Sequence, residues 1–272
     1  MPRSGISPRN LQDTINARVY HADGVQQRYR SLSLDRAEVK ALLKYQPAFA
    51  GRAVLDIGVG TGRTAAYLVP LAGAYQGIDY SPVMIAQARS AFPHASLSQA
   101  DMRDLSMFGD GSFDFVFATN NVFDAVSHDD RLRTLDECFR VARAGALLMF
   151  SSHNRKFRHA LQGPRLSWSR NPATQAAALL SLARGMMNHR KIRALRREED
   201  DYALLNDTGH DFGLLHYYID RDRQAEQLRS AGFETIDVFD HDGVSLTDGD
   251  PALDSPWLLY VARVAAVTNT HA

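Results

Sequence analysis

Val54-Leu55-Asp56-Ile57-Gly58-Val59-Gly60-Thr61-Gly62-Arg63 is the stretch on which the reading of the fold turns. An apolar run of strand character enters a turn with glycine at alternate positions, and a helical pattern follows. Glycine lets the chain turn sharply and brings backbone N–H groups close to a ligand at the positive end of a helix. The dinucleotide fingerprint places its glycines at the first, third and sixth positions of such a turn. Here they stand at the first, third and fifth, and Arg63 occupies the sixth. A long charged side chain there argues against the close helix–strand packing that the fingerprint needs, so an NAD-dependent oxidoreductase becomes a distant reading.

Outward from this turn the chain alternates strand-type and helix-type runs. Strands are expected over 53–57, 75–79, 96–100, 113–118 and 146–151, with helices over 62–72, 82–91 and 129–143. Ser81 followed by Pro82 is a strong start signal for the second helix. Strands alternating with helices predict a parallel sheet covered on both faces. The tail differs. A helix over 221–231 stops at Gly232, and strands over 233–239 and 257–264 follow with no helical pattern between them, so they should pair antiparallel. Residues 1–50, helical over 34–45, are expected as an N-terminal helical cap. Residues 51–154 form the cofactor-binding core, and 216–272 complete it. Residues 155–215 are too long for a strand-to-helix loop; with a helix over 173–187 they are expected to form a lid.

Two acids follow the next two strands. Asp79, in Gly77-Ile78-Asp79-Tyr80-Ser81, can accept the ribose hydroxyls of an adenosine-containing ligand. Asp101, in Gln99-Ala100-Asp101-Met102, can accept the adenine amino group with Met102 against the ring. Acids after strands often cap helices and methionines often fill cores. A glycine turn and two acids at three successive strand ends are harder to assign to chance.

With these residues in place, the chain over about 51–152 resembles the class I S-adenosylmethionine-dependent methyltransferases, and the terminal strand pair fits them too. Val54 to Gly62 matches the family's first motif throughout. The resemblance implies a Rossmann-like α/β fold: a seven-stranded, mostly parallel sheet with a C-terminal antiparallel hairpin and helices on both faces. S-adenosyl-L-methionine is the implied cofactor and S-adenosyl-L-homocysteine its product. Gly58, Gly60 and Gly62 would line the amino-acid end of the cofactor, with Asp56 orienting it. Asp79 would hold the ribose, Tyr80 and Met84 would flank the adenine, and Asp101 with Met102 would meet its edge. Asn120 is expected to contact the cofactor.

The acceptor side is less determined. The fourth strand ends in Ala118-Thr119-Asn120-Asn121-Val122-Phe123-Asp124. It lacks the prolines of the motif that base- and amide-methylating relatives carry at this point. Phe123 and Asp124 lie where such enzymes begin to touch substrate, and Asn154 and Tyr217 are candidates beside them. A general base is needed where the acceptor keeps its proton near neutral pH. His153, at the end of the fifth strand, His216 and His128 are the candidates by location. Ser151-Ser152-His153-Asn154 resembles a stretch in bacterial methyltransferases of small-molecule or unassigned function.

Composition narrows the partners. The 272 residues carry 31 basic and 31 acidic side chains, and the one cysteine, Cys138, excludes an internal disulfide and a cysteine-based zinc site. No metal is expected. The absence of a long apolar run and of a secretory pattern predicts a cytoplasmic protein with no membrane span. Between 155 and 197 stand eleven Lys or Arg and no acid. Such a run can grip RNA phosphates, but it also suits a solvated lid neutralised by Glu198-Glu199-Asp200-Asp201, and a neutral chain weakens nucleic-acid affinity. The expected function is methylation of an oxygen or nitrogen of a small molecule in specialised metabolism. An RNA methyltransferase and a non-catalytic cofactor-binding protein are the rivals, and a homodimer stays open.

Overall fold

The computed structural model describes residues 11–20 and 33–265. The expected cap therefore falls partly outside the described residues, at 1–10 and 21–32.

Helix α1 (Leu11–Tyr20) and helix α2 (Arg36–Tyr45) precede the sheet. Strand β1 (Ala53–Ile57) is central, and helix α3 (Ala65–Leu68), strand β2 (Ala74–Asp79), helix α4 (Pro82–Ala91) and strands β3 (Ser96–Gln99) and β4 (Phe113–Ala118) follow. Helix α5 (His128–Val141) leads to strand β5 (Ala142–Asn154). The insertion holds helix α6 (Pro172–Ile192) and short strands β6 (Arg197–Glu198) and β7 (Ala203–Leu205). Strand β8 (His216–Ile219), helix α7 (Arg221–Ser230) and strands β9 (Phe233–Phe239) and β10 (Trp257–Val264) complete the chain.

Strands β3, β2, β1, β4 and β5 lie side by side and parallel in that order. The far edge of β5 pairs antiparallel with β10, and β10 with β9. These are the seven strands expected, closing in the expected hairpin. The alternation of strand side chains sends Leu55, Val116, Leu148 and Tyr260 to one face, where Leu135 and Cys138 of α5 and Leu228 of α7 cover them. Val54, Phe115, Met149 and Val261 face the other way, under Ala37 and Ala41 of α2 and Leu68 of α3. Burial on both faces explains the continuous apolar runs.

The structure also departs from expectation. Two short strands of the insertion and β8 just after it enlarge the sheet to ten: β8 pairs parallel with His153 and Asn154 at the end of β5, β7 with β8, and β6 with β7. Residues 216–219 escape sequence reading because all four are buried, which removes the alternation that marks a strand. The helix expected over 62–72 shrinks to one turn. Gly62, at φ +100, delays its start, and Pro70, which has no N–H to donate, ends it after Val69.

Candidate active site

The glycine turn works as its composition requires. Gly58, Gly60 and Gly62 all have positive φ, and the N–H groups of Gly58 and Val59 donate to the Ile78 carbonyl. A Cβ on Gly58 would lie 2.5 Å from Val122, and one on Gly62 2.4 Å from Phe92. The two glycines therefore answer different demands. Gly58 and Gly60 line the main cavity at the carboxyl ends of the strands, whereas Gly62 stands outside that lining and packs its backbone against Phe92.

Asp79 binds the turn to the next strand: its Oδ2 accepts from the Gly60 N–H at 2.9 Å and its Oδ1 from the Ser81 N–H at 2.8 Å. Ile78, Tyr80, Met84 and Met102 give the cavity an apolar wall, and Asp79, Asp101 and Asn120 give it polar groups. An adenosine fits this chemistry, with flat apolar contact for the base and carboxylates for its hydroxyl and amino donors. Asp101 has a second duty. It accepts a two-pronged bond from Arg103, at 2.9 and 2.6 Å, and the same guanidinium reaches Asp13 of α1 and Asp130 of α5.

Asp56 is fully enclosed and takes hydrogen bonds from Thr64 at 2.5 Å and Tyr75 at 2.7 Å. Burial pushes its carboxyl up to about 6 against the pull of those two donors. It lies on a smaller pocket beneath the turn, shared with Thr64 and Asn120. Arg63 is largely enclosed too. Its guanidinium forks onto Glu38 of α2 at 2.6 and 2.8 Å and donates to Thr119 at 3.1 Å, so the residue that disfavours a dinucleotide motif fastens the N-terminal helix to the loop.

Helix α1 closes the cavity from above, with Asp13 and Asn16 in its lining. The Gln12 amide donates to the carbonyls of Asp124 and Leu215, and the Asn16 amide to those of Ala125 and Leu215. The Leu215 N–H returns a bond to Asn16.

The acceptor side is reached through Asn120 and Asn121, both in left-handed conformation. Asn120 lines the cavity, and the Asn121 amide lies 3.3 Å from His153 Nε2. Asp124 is fully buried against fully buried Arg131, with 2.5 Å between them. Ser152 donates to the same carboxylate, and His153 approaches it with both its backbone N–H and Nδ1, each at 2.7 Å. Burial alone would raise this carboxyl, but Arg131 and His153 outweigh it and hold it below the usual range. An ionised carboxylate only accepts, so Nδ1 carries a hydrogen toward Asp124, and Nε2 is the ring nitrogen left to face Asn121.

His216 and Asp207 stand beside this pair. His216 Nδ1 lies 2.8 Å from Asp207 Oδ2, which also accepts from the Tyr218 hydroxyl at 2.7 Å and lies 3.6 Å from His153 Nε2. The two imidazoles stack with centroids 4.8 Å apart. For His216, burial works against the charged ring but the Asp207 carboxylate prevails and raises its pKa.

The remaining candidates lie elsewhere. His128 stacks on Tyr202 and bonds the Tyr217 hydroxyl at 2.8 Å, away from the cavity lining. Tyr217 is buried over Arg131 and bonds Gln227, a packing role. Phe123 is enclosed against Phe150, so it is core and not acceptor surface. The Asn154 amide is consumed by the carbonyls of Pro251, Ala252 and Ser255. Asp124 is taken up by Arg131, Ser152 and His153 and has no open face. Glu38, Arg103, Arg131 and Asp207 escaped sequence reading; the only local hint was Asn206-Asp207-Thr208-Gly209, a turn signal. Among the described residues, Glu198 to Asp201 make no ion pair with the basic segment that they were expected to neutralise. Asp201 pairs with Arg223 of α7, Arg158 pairs with Asp254, and Arg155 reaches only the Asp200 carbonyl.

Residues 54–145 match the family described as methyltransferase domain. A probable S-adenosylmethionine-dependent methyltransferase of Mycolicibacterium smegmatis is 32% identical over 107 residues, 39% of this chain and 40% of that one. A demethylmenaquinone methyltransferase of Beutenbergia cavernae is 34% identical over 122 residues, 44% of this chain and 48% of its own. The chain thus spans less than half the length of these relatives. The 1,6-didemethyltoxoflavin-N1-methyltransferase of Burkholderia thailandensis, solved with its substrate and S-adenosylhomocysteine, superposes with a TM-score of 0.58 at 15% identity, covering 96% of this chain and 93% of that one. Its likeness is one of fold.

Proposed function

Proceeding from a chain whose residues 54–145 are a methyltransferase domain on the class I S-adenosylmethionine-dependent fold, we propose that it methylates an oxygen or nitrogen of a small molecule, in the specialised metabolism of the cytoplasm. One observation carries the reading. Two consecutive left-handed asparagines join the cofactor cavity, through Asn120, to an oriented imidazole lone pair, through Asn121 and His153. S-adenosylmethionine, when bound, supplies a methyl group on a sulfonium that is already a good leaving group. The protein's work is then to align the acceptor and to unmask its lone pair.

Gly58 and Gly60 bring the backbone close to the amino-acid end of the cofactor, Asp79 holds the ribose, and Met84, Met102 and Tyr80 flank the base. Helix α1, with Asp13 and Asn16 in the cavity lining, excludes water above them. Asp124 and Arg131 fix the His153 ring so that Nε2 faces the acceptor. Asp124 is a positioning residue, and His153 is the group proposed to touch substrate.

The test is transfer of labelled methyl from S-adenosylmethionine, with fractionated metabolites in one arm and total RNA in the other. The reading expects label in a small-molecule fraction and a rate at least about 100-fold lower for His153→Ala, the usual scale of general-base catalysis. Label confined to RNA, or a His153→Ala rate equal to wild type, would overturn it.

A further inference from the structure

We propose that His153, Asp207 and His216 form a binding site for one divalent transition-metal ion beside the cofactor cavity. Three chain segments deliver these groups to one point: the end of β5, the loop after β7 and the start of β8. Their donor atoms lie within 4.8 Å of one another. Ligands on one tetrahedral ion with bonds of about 2.1 Å sit roughly 3.4 Å apart. Asp207 Oδ2 is 2.8 Å from His216 Nδ1 and 3.6 Å from His153 Nε2, so an ion would push the first pair apart by about 0.6 Å and draw the wider pairs inward.

The outer contacts are those of a metal site. Metal-bound histidines usually donate their other ring nitrogen to a carboxylate, which fixes ring and tautomer. His153 donates Nδ1 to Asp124, itself locked by Arg131. Asp207 is held at both oxygens, Oδ1 by the Gly209 N–H at 2.7 Å and Oδ2 by the Tyr218 hydroxyl at 2.7 Å. The loop that presents it is forced into shape. His210, Asp211 and Phe212 are consecutive non-glycine residues at positive φ, a conformation that costs each of them free energy and persists where the surroundings demand it. The Asn206 side chain ties the loop across to the Phe212 carbonyl and to Arg196.

A second observation points to a ligand. Asn121 Oδ1 is buried with no hydrogen-bond partner, on the amide whose nitrogen lies 3.3 Å from His153 Nε2. Rotating that amide brings a fourth donor, an oxygen, toward the same point. Two imidazoles with one carboxylate, and an asparagine oxygen in reserve, suit a borderline divalent ion such as zinc, cobalt or iron(II). The inference departs from the metal-free site expected from sequence, where Asp207 gave no signal.

The binding claim stands on geometry alone; its consequence for chemistry rests on the methyl-transfer reading. Without the ion, His153 Nε2 is the base; with the ion bound, that lone pair would be spent on the metal, and an acceptor hydroxyl in the open position would lose its proton to solvent at lower pH, as metal-bound water does. Its oxygen then forms the bond to the methyl carbon while the carbon–sulfur bond breaks, its electron pair staying on sulfur to give S-adenosylhomocysteine. A chelating oxygen acceptor, such as a hydroxyl beside a second oxygen, is the class that would gain most.

The test is titration of the chelator-stripped full-length chain with Co2+, followed by visible absorption. One equivalent should bind with a Kd in the micromolar range or tighter, be displaced by Zn2+, and broaden the imidazole resonances of His153 and His216. Asp207→Asn and His216→Gln should weaken binding about 100-fold, while exposed His94→Ala leaves it unchanged and S-adenosylhomocysteine affinity reports that each variant is folded. No saturable Co2+ signal in the wild-type chain, broadening confined to other histidines, or equal affinity in folded Asp207→Asn and His216→Gln overturns the site. Because binding is read without turnover, a chain that takes up Co2+ yet methylates nothing counts against the methyl-transfer reading alone.

Discussion

The cofactor cavity and the acceptor side adjoin one another but are built in opposite ways. The cavity takes its essential groups from the ends of successive strands, within the 45 residues from Gly58 to Met102 plus Asn120. Each is announced by its neighbours: glycines by the turn, Asp79 and Asp101 by the strands they end. The acceptor side gathers Asp124, Arg131, His153, Asp207 and His216 from four separate segments, and its central ion pair is wholly buried. A motif makes the first region; tertiary packing makes the second. The two should therefore fail differently when altered.

The largest difference is expected in stability. Arg131→Met leaves the Asp124 carboxylate buried and uncompensated, a loss of about 3–5 kcal/mol, measured by urea unfolding. Asp79→Ala, on the half-exposed rim of the cavity, should cost far less stability while abolishing cofactor affinity. If Arg131→Met unfolds like wild type, the acceptor side is not the structural keystone described.

Gly58→Ala sharpens the contrast from the other region. Its Cβ meets Val122 at a backbone conformation that only glycine adopts easily, so a loss of about 1–3 kcal/mol is expected together with weakened cofactor binding. Gly62→Ala should cost as much stability through Phe92 with a smaller direct effect on affinity. Equal loss of affinity in both would restore a ligand-facing role to Gly62.

A pH effect follows from Asp56. Its folded pKa, about 6, lies above the ordinary value of 3.8. A raised carboxyl stabilises the fold below pH 3.8, and that contribution is lost as pH rises through 6. The difference in stability between wild type and Asp56→Asn should thus shift by up to roughly 3 kcal/mol across that window and stay flat above it. A difference independent of pH would contradict the buried, hydrogen-bonded carboxyl.

The smallest effect belongs to the clamp of α1. Gln12→Ala and Asn16→Ala each remove amide bonds to the Leu215 carbonyl and should cost about 1 kcal/mol apiece, read as faster amide exchange in α1.

The same contrast explains what was legible in advance. The order of strands, the terminal hairpin and the cavity's acids could be read because each depends on spacing within a short window. The roles of Phe123, Asn154 and Tyr217 could not, because a buried aromatic and an acceptor-facing one have the same sequence signature until packing is known. Asp207 stayed hidden for a related reason. Its partners, His153 and His216, are 54 and 9 residues away, and only the pairing of β8 with the end of β5 unites them. Arg63 was read for what it excludes, and Glu38, buried beneath it, supplies the positive reason for its presence.

Calorimetric titration with S-adenosylhomocysteine tests the central claim most directly. The account predicts one site with micromolar affinity in the wild-type chain, weakened at least about 100-fold by Asp79→Ala and by Gly60→Val, the scale on which buried binding contacts act. Absence of binding in the wild-type chain, or unaltered affinity in both variants, would contradict it.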